Sequence, residues 1–306
     1  MRLAVKKIAQ LAFVLVVLLS VYTLYQTYYL YQFKIADMDD KVREISGIEF
    51  DKKQRLWATN DGGGGPFLHQ VDTDGQVIRS VKISNAKNLD WEDMTQNDFG
   101  HFFIGDFGNN DQKREWLTIY KIENPIDIKG DTAQAEIIKF NYPAFSEATE
   151  KSAQGIHDLE AFVSFNRSLY LFTKNRTSPF DGQTHIFKIG DHASNFAAQY
   201  ISSFTTCTDV KLLCWVTSAA LSPDRTKLVL LDSQRLWLFE NWSDDDFFSG
   251  DVSHIDLGIV TQKESVTFYD NQTVIFTDEN FKGMGGNAYK IKLDEVSIIK
   301  REKTSQ

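Results

Sequence analysis

Five times along this chain, a polar residue near the start of one β-type run is followed 14 or 15 residues later by a polar residue ending the next run. The pairs are Ser46–Asn60, Glu92–Asp106, Glu160–Lys174, Thr217–Asp232 and Glu264–Asp278. The runs that open them read EISGIEF, DWEDMTQ, HDLEAFV, VTSAALS and KESVTFY. A third run follows in each unit (LHQV, IYKI, IFKI, LWLF, AYKI), placing His69, Tyr120, Phe187, Trp237 and Tyr289 in register. Fourth runs are read at VIRSVKI, AEIIKFNY, AQYISSF, VSHIDLG and VSIIKR. Short runs broken by Gly, Asn and Asp, with almost no helix-period pattern, give an all-β class. A four-stranded unit repeated in this way is a propeller blade. From Ser46 to Glu264 the steps are 46, 68, 57 and 47 residues. Blades need about 40–50 residues, so the longer steps hold insertions, at 143–156 and around the cysteines. The expectation is a single β-propeller of five blades. A sixth, degenerate blade inside the 68-residue step is the competing count.

Equivalent positions on equivalent strands must lie on rings about one axis. The rings gather Glu92, Asp106, Glu160, Glu264 and Asp278 at one end of the channel. Asn60, Asp61, Asp93, Asp158, Lys174, Asn175, Asp232 and Glu279 stand close by as a surrounding binding surface. Carboxylates crowded together repel unless something neutralises them. An all-oxygen set suits Ca²⁺, or Mg²⁺, rather than Zn²⁺. The five ring acids are therefore the expected metal ligands. The competing reading is that they cap loops and bind backbone. His157, beside Asp158 and Glu160, is the candidate general base; its alternative is a loop histidine bonded to a neighbour.

The first 34 residues stand apart. Arg2, Lys6 and Lys7 precede 26 residues, 8–33, without a charge, enough for a helix to cross a bilayer. Tyrosines crowd its far end, where amphipathic rings favour the headgroups. No small-residue cleavage site follows the apolar core, so an uncleaved signal anchor is expected over 1–34 and a propeller ectodomain over 35–306. A cleaved signal peptide is the alternative. The cationic N-terminus should remain in the cytoplasm, with the rest of the chain outside. All the acidic residues lie beyond the anchor, so that part is more acidic than the whole chain's net −9. Such a balance argues against nucleic acid as a partner. Cys207 and Cys214 are expected to pair, since export permits it; two buried thiols are the alternative.

DWEDM (90–94), IGDFGNN (104–110), HDLEAF (157–162), LFTKN (171–175) and FTDEN (276–280) carry a resemblance. The chain resembles a largely uncharacterised family of exported bacterial β-propeller proteins, whose typical forms read D-W-E-D-I, G-D-x-G-D-N, E-A-L, F-T-K and T-D-E. The resemblance runs over about residues 44–292. It is distantly similar to the esterase-like phytase and six-bladed lactonase propellers. This chain departs at Phe107 and Asn109 within the second motif, and at Ala219–Ala220 in the fourth blade. The resemblance implies a bacterial inner-membrane protein, single-pass, with its C-terminal domain in the periplasm.

Two classes of function follow. The first is a membrane-anchored envelope propeller that binds a ligand or protein partner at its acidic mouth. The second is a Ca²⁺-dependent hydrolase of phosphoester, lactone or other ester bonds, with the cation polarising an oxygen. A glycosidase needs two carboxylates about 5–9.5 Å apart and ranks behind both.

Overall fold

In all five inner strands the backbone skips one residue. Ile45 pairs with Asn60 and Gly47 with Thr59, leaving Ser46 unpaired. The same bulge leaves Glu92, Glu160, Thr217 and Glu264 without a partner in their ladders. A bulge bends a strand and re-aims a side chain. The polar residue that opens each repeat in the sequence is the bulged residue of each blade.

The computed structural model describes residues 2–142, 158–208, 210–258 and 261–301. They form a five-bladed β-propeller preceded by one apolar helix. The inner strands are Ile45–Phe50, Trp91–Gln96, Asp158–Phe165, Val216–Leu221 and Lys263–Phe268. Each pairs antiparallel with the second strand of its own blade. The 68-residue step holds no sixth blade among the described residues. Its added strand, Thr132–Ala133, joins blade 1 parallel to Val77–Ile83. Residues 143–156, read as an insertion, lie outside the described residues.

The blades stack because their strands are apolar on both faces. In Lys227–Asp232, Leu228 and Leu230 pack towards blade 3, while Val229 and Leu231 pack towards blade 5. Alternate side chains point to opposite faces of a strand, so one apolar run serves two interfaces. Five apolar clusters result, one at each blade–blade contact. The contact between blades 5 and 1 is the leanest, with six buried side chains against 15 between blades 4 and 5.

The ring closes at that lean contact, and here the expected strand assignment needs correcting. VSIIKR does not supply the outer strand of blade 5. That strand is Lys34–Asp37, paired with Asn287–Lys292. Ile299–Lys300 instead adds to the outer strand of blade 4, Asp251–Asp256. An exposed sheet edge leaves a row of unpaired N–H and C=O groups. A segment from the N-terminus covers one such edge, and the C-terminal segment covers its neighbour. The Met38 N–H donates to Gly286 O at 2.8 Å, and the Asp39 N–H to Gly75 O at 2.9 Å, which carries the closure into blade 1.

The helix, Arg2–Tyr31, is long and apolar enough over Lys6–Tyr31 to cross a membrane. Its middle side chains are exposed, Leu11 and Phe13 at 75% and 70%. Only near its end does it enter the core: Leu30 is fully buried against the cluster between blades 4 and 5.

Candidate functional site

One position beyond each bulge, the inner strands place Gly47, Asp93, Ala161, Ser218 and Ser265 in one layer around the axis. Four are small, which leaves room for the fifth. Asp93 is fully buried, and its carboxylate accepts from the amides of Met94 (2.9 Å), Phe162 (3.2 Å) and Ala219 (3.3 Å) and from Ser218 Oγ (3.0 Å). Ser218 Oγ in turn accepts the Val266 amide at 3.0 Å. Blades 2 to 5 are thereby joined through two side chains, Asp93 and Ser218. A Cβ on Gly47 would stand 2.9 Å from Met94 N and 3.0 Å from the Asp93 backbone, so blade 1 contributes its share by lacking one. Burial pushes the Asp93 carboxyl well above its usual range, against the pull of its hydrogen bonds. Asp93 is thus the floor of the mouth, closed off from solvent.

Above this floor four of the five bulged residues face a cavity of about 190 Å³, and the fifth, Thr217, lines the cavity beside it. Ser46, Glu92, Glu160 and Glu264 line it, together with Asp61, Lys174 and Glu279. Glu160 is held by Lys174 (Nζ–Oε1 2.7 Å) and more loosely by Arg176 (3.8 Å). Glu264 and Glu279 share the amide of Gln262, at 2.5 and 2.8 Å. Burial pushes Glu160 up to about 8, opposed by Lys174, and Glu264 up to about 7. Glu92 is raised well above its usual range by burial, then by the charges of Glu160 and Asp61. Burial works against the Lys174 ammonium, but Glu160, Glu264 and Glu92 outweigh it and raise its pKa.

A second cavity, about 300 Å³, opens beside the first and shares Lys174, Gln262, Glu264 and Glu279 with it. Its far wall is apolar: Leu212, Leu213, Trp215, Phe281 and Met284. Leu212–Trp215 are held in place by the Cys207–Cys214 disulfide, which closes a seven-residue separation. Trp215 also takes the Lys174 and Arg176 cations over its ring, at 5.2 and 4.7 Å. Phe281 and Met284 come from the glycine-rich loop after the second strand of blade 5, where Gly283, Gly285 and Gly286 all have positive φ.

The other acids read from the sequence are engaged elsewhere. Asp106 pairs with Arg114 at 3.0 Å and accepts the Asp90 amide. Asp278 accepts from Tyr289 Oη at 2.6 Å and the Asn287 amide at 2.8 Å. Asp232 does the same for Trp237 Nε1 at 2.8 Å. These three end their second strands by anchoring a neighbouring side chain, two of them the aromatic of the third strand. Asp158 is ion-paired with Arg176 and accepts the Asn109 amide. Asn60 donates to Lys41 O, and Asn175 organises its own loop through Thr177 and Gln183. His157 lies outside the described residues.

Apart from Asp158, one set of mouth residues escaped the ring argument. Two positions before each bulge stand Glu44, Asp90, Asp158, Trp215 and Gln262. Residues i and i+2 share a face of a strand. Extending the repeat backwards by one such step finds Glu44 and Gln262 in the acidic cavity and Trp215 in the apolar one. It also finds Asp90, next to Asp61 and Glu92. Burial, and after it the charge of Asp61, pushes Asp90 up to about 6.

The chain is a five-bladed β-propeller with a blind, acidic mouth at one end of its axis. No protein-family model matches it, and no curated protein sequence matches it significantly. Among solved structures it is similar to the PQQ-bound aldose sugar dehydrogenase of Streptomyces coelicolor (8% identity, TM-score 0.49, covering 85% of this chain and 96% of that one). It is also similar to a gluconolactonase from Xanthomonas campestris (13%, 0.40, 85% and 73%) and to a luciferin-regenerating enzyme (10%, 0.44, 85% and 95%). No activity is carried from these proteins to this chain.

Proposed function

We propose that this is a membrane-tethered propeller of the bacterial cell envelope, with its propeller in the periplasm, that binds an amphipathic ligand in its mouth. The observation that carries the reading is the joining of the two cavities through Glu264 and Glu279. A cationic or donor-rich head placed there meets carboxylates. An apolar arm then lies along Leu212, Trp215, Phe281 and Met284. Ligand pockets commonly combine such an apolar wall with a few polar groups that fix orientation. The test is a titration of the full chain in detergent, with chelator present, followed by tryptophan fluorescence. Hexylamine should shift the emission, and hexanoate should not. Trp215→Phe should remove the signal, and Glu264→Gln should weaken binding. Equal responses to hexylamine, hexanol and hexanoate would reject the reading.

A second reading, divalent-cation-dependent hydrolysis of a phosphoester, lactone or other ester, is favoured by one observation. Carboxylate oxygens of Asp61, Asp90 and Glu92 lie within 4.8 Å of one another. A cation there would act as a Lewis acid towards an oxygen of the bound molecule.

A further inference from the structure

Charge compensation is uneven around the mouth. On the side of blades 3 to 5 the acids have partners: Lys174 for Glu160, Arg176 for Asp158, and the Gln262 amide for Glu264 and Glu279. On the side of blades 1 and 2, no lysine or arginine forms an ion pair with Asp61, Asp90 or Glu92 among the described residues. Their oxygens nevertheless converge to within 4.8 Å of one another.

We propose that Asp61, Asp90 and Glu92, with the Ser46 hydroxyl, form a binding site for Ca²⁺. This deepens the proposed function by placing a cation in the polar half of the same mouth, and it rests on that reading only for what the cation would present to a ligand.

Two observations beyond the acids support the site. Ser46, the bulged residue of blade 1, is 5% exposed and faces the same cavity. Its Oγ has no hydrogen-bond partner among the described residues. A buried hydroxyl without a partner is costly, and a cation facing it would satisfy its lone pairs. The second observation is Gly108. A Cβ built there would collide with Glu92 Oε1 and Asp90 Oδ2. The two carboxylate oxygens therefore lie side by side over a backbone stripped of its side chain, a cradle that an alanine would fill. Asp61 comes from the residue just past the second strand of blade 1, and Asp90 and Glu92 from the start of blade 2, so the site bridges two blades.

The donor set selects the metal. Four oxygens from carboxylates and a hydroxyl, with no Cys or His beside them, suit a hard cation. Ca²⁺ takes six to eight oxygen ligands, so the protein would leave positions for water or for an oxygen of the bound molecule.

The test is calorimetric titration of CaCl2 into the full chain in detergent micelles, after chelator has been dialysed away, with Tb³⁺ luminescence sensitised by tryptophan as a second readout. One binding event is expected. Ser46→Ala, which removes one atom from a buried position, should weaken Ca²⁺ by several-fold. Asp90→Asn and Gly108→Ala should each weaken it by at least about tenfold, since even residues that only orient a ligand cost this much. Asp244→Asn, on an exposed loop of blade 4, should leave the affinity unchanged. Ca²⁺ binding absent at millimolar concentration, or retained in both Asp90→Asn and Ser46→Ala, would overturn the site. Because the hexylamine titration is run with chelator, a ligand-binding mouth without Ca²⁺ and a Ca²⁺ site without hexylamine binding are separate results.

Discussion

Ser218 Oγ donates to Asp93 Oδ1 across the propeller axis at 3.0 Å, and the same oxygen accepts the amide of Val266. A side chain of blade 4 thus transmits to blade 5 a bond that begins in blade 2. The carboxylate supplies the acceptor for the inward-facing amides of Phe162 and Ala219.

Asp93→Ala should therefore be among the most damaging single changes in the chain. It leaves the amides of Phe162 and Ala219 and the Ser218 hydroxyl without their acceptor, and each such buried group costs about 1–3 kcal/mol. A loss of about 3 kcal/mol or more is expected in urea denaturation. Asp93→Asn keeps one acceptor oxygen and should lose less. Equal stability of the wild type and Asp93→Ala would show that the axial network adds nothing.

The other end of the channel predicts a pH dependence. Burial pushes Glu49 from its ordinary 4.5 to about 7, although the Phe50 amide and Thr267 Oγ1 donate to it. The folded state keeps a proton that the unfolded state has already released. Stability from this group is whole below about pH 4.5 and falls as the pH rises towards 7. Glu49→Gln cannot lose a proton, so its melting temperature should vary less across that window than the wild type's. A parallel pH profile for the two proteins would contradict the shift.

The Cys207–Cys214 bond should contribute about 2–3 kcal/mol through loop closure. Its larger effect is local. Cys207→Ser/Cys214→Ser frees the segment carrying Leu212 and Trp215, so hexylamine affinity should fall even where the protein remains folded. Unchanged affinity in the double mutant would mean that this wall does not need the bond.

Trimming the N-terminus separates the apolar helix from the closing strand, at the cost of Leu30 in the cluster between blades 4 and 5. A chain beginning at Gln32 keeps Lys34–Asp37 on blade 5 and should give one cooperative melt and a single, sharp elution peak. A chain beginning at Asp39 exposes the edge of Asn287–Lys292 and should melt earlier or associate, as unpaired edges do. Size-exclusion chromatography with thermal melts distinguishes the two.

The repeat was legible because a blade requires the same residue to do the same job five times. The spacing of Ser46–Asn60 and its four counterparts gives the blade count, and Glu92, Glu160 and Glu264 reach the mouth as the rings require. The ends of the second strands were harder to read. Asp106, Asp232 and Asp278 look alike in sequence to mouth acids such as Asp61, but Arg114, Trp237 and Tyr289 hold them. Nothing in a strand pattern tells a carboxylate that faces solvent from one that accepts a tryptophan N–H. Closure was illegible for another reason. VSIIKR follows blade 5 and has a strand's composition, yet the outer position goes to KIAD from the far end of the chain. Sequence order favours the nearer segment, whereas ring closure joins the two ends.

Between the last residue of the apolar helix, Tyr31, and the first residue of the closing strand, Lys34, lie only Gln32 and Phe33. The Phe33 carbonyl already accepts the Lys290 amide of blade 5 at 2.8 Å. There is no slack in such a joint. A force that drags the helix sideways or outwards is delivered directly to the clasp of the ring, at its thinnest apolar seam. Helix and lock are one continuous piece of chain, so with the helix held in a membrane, as proposed above, mechanical load on it would be load on the closed state of the propeller itself.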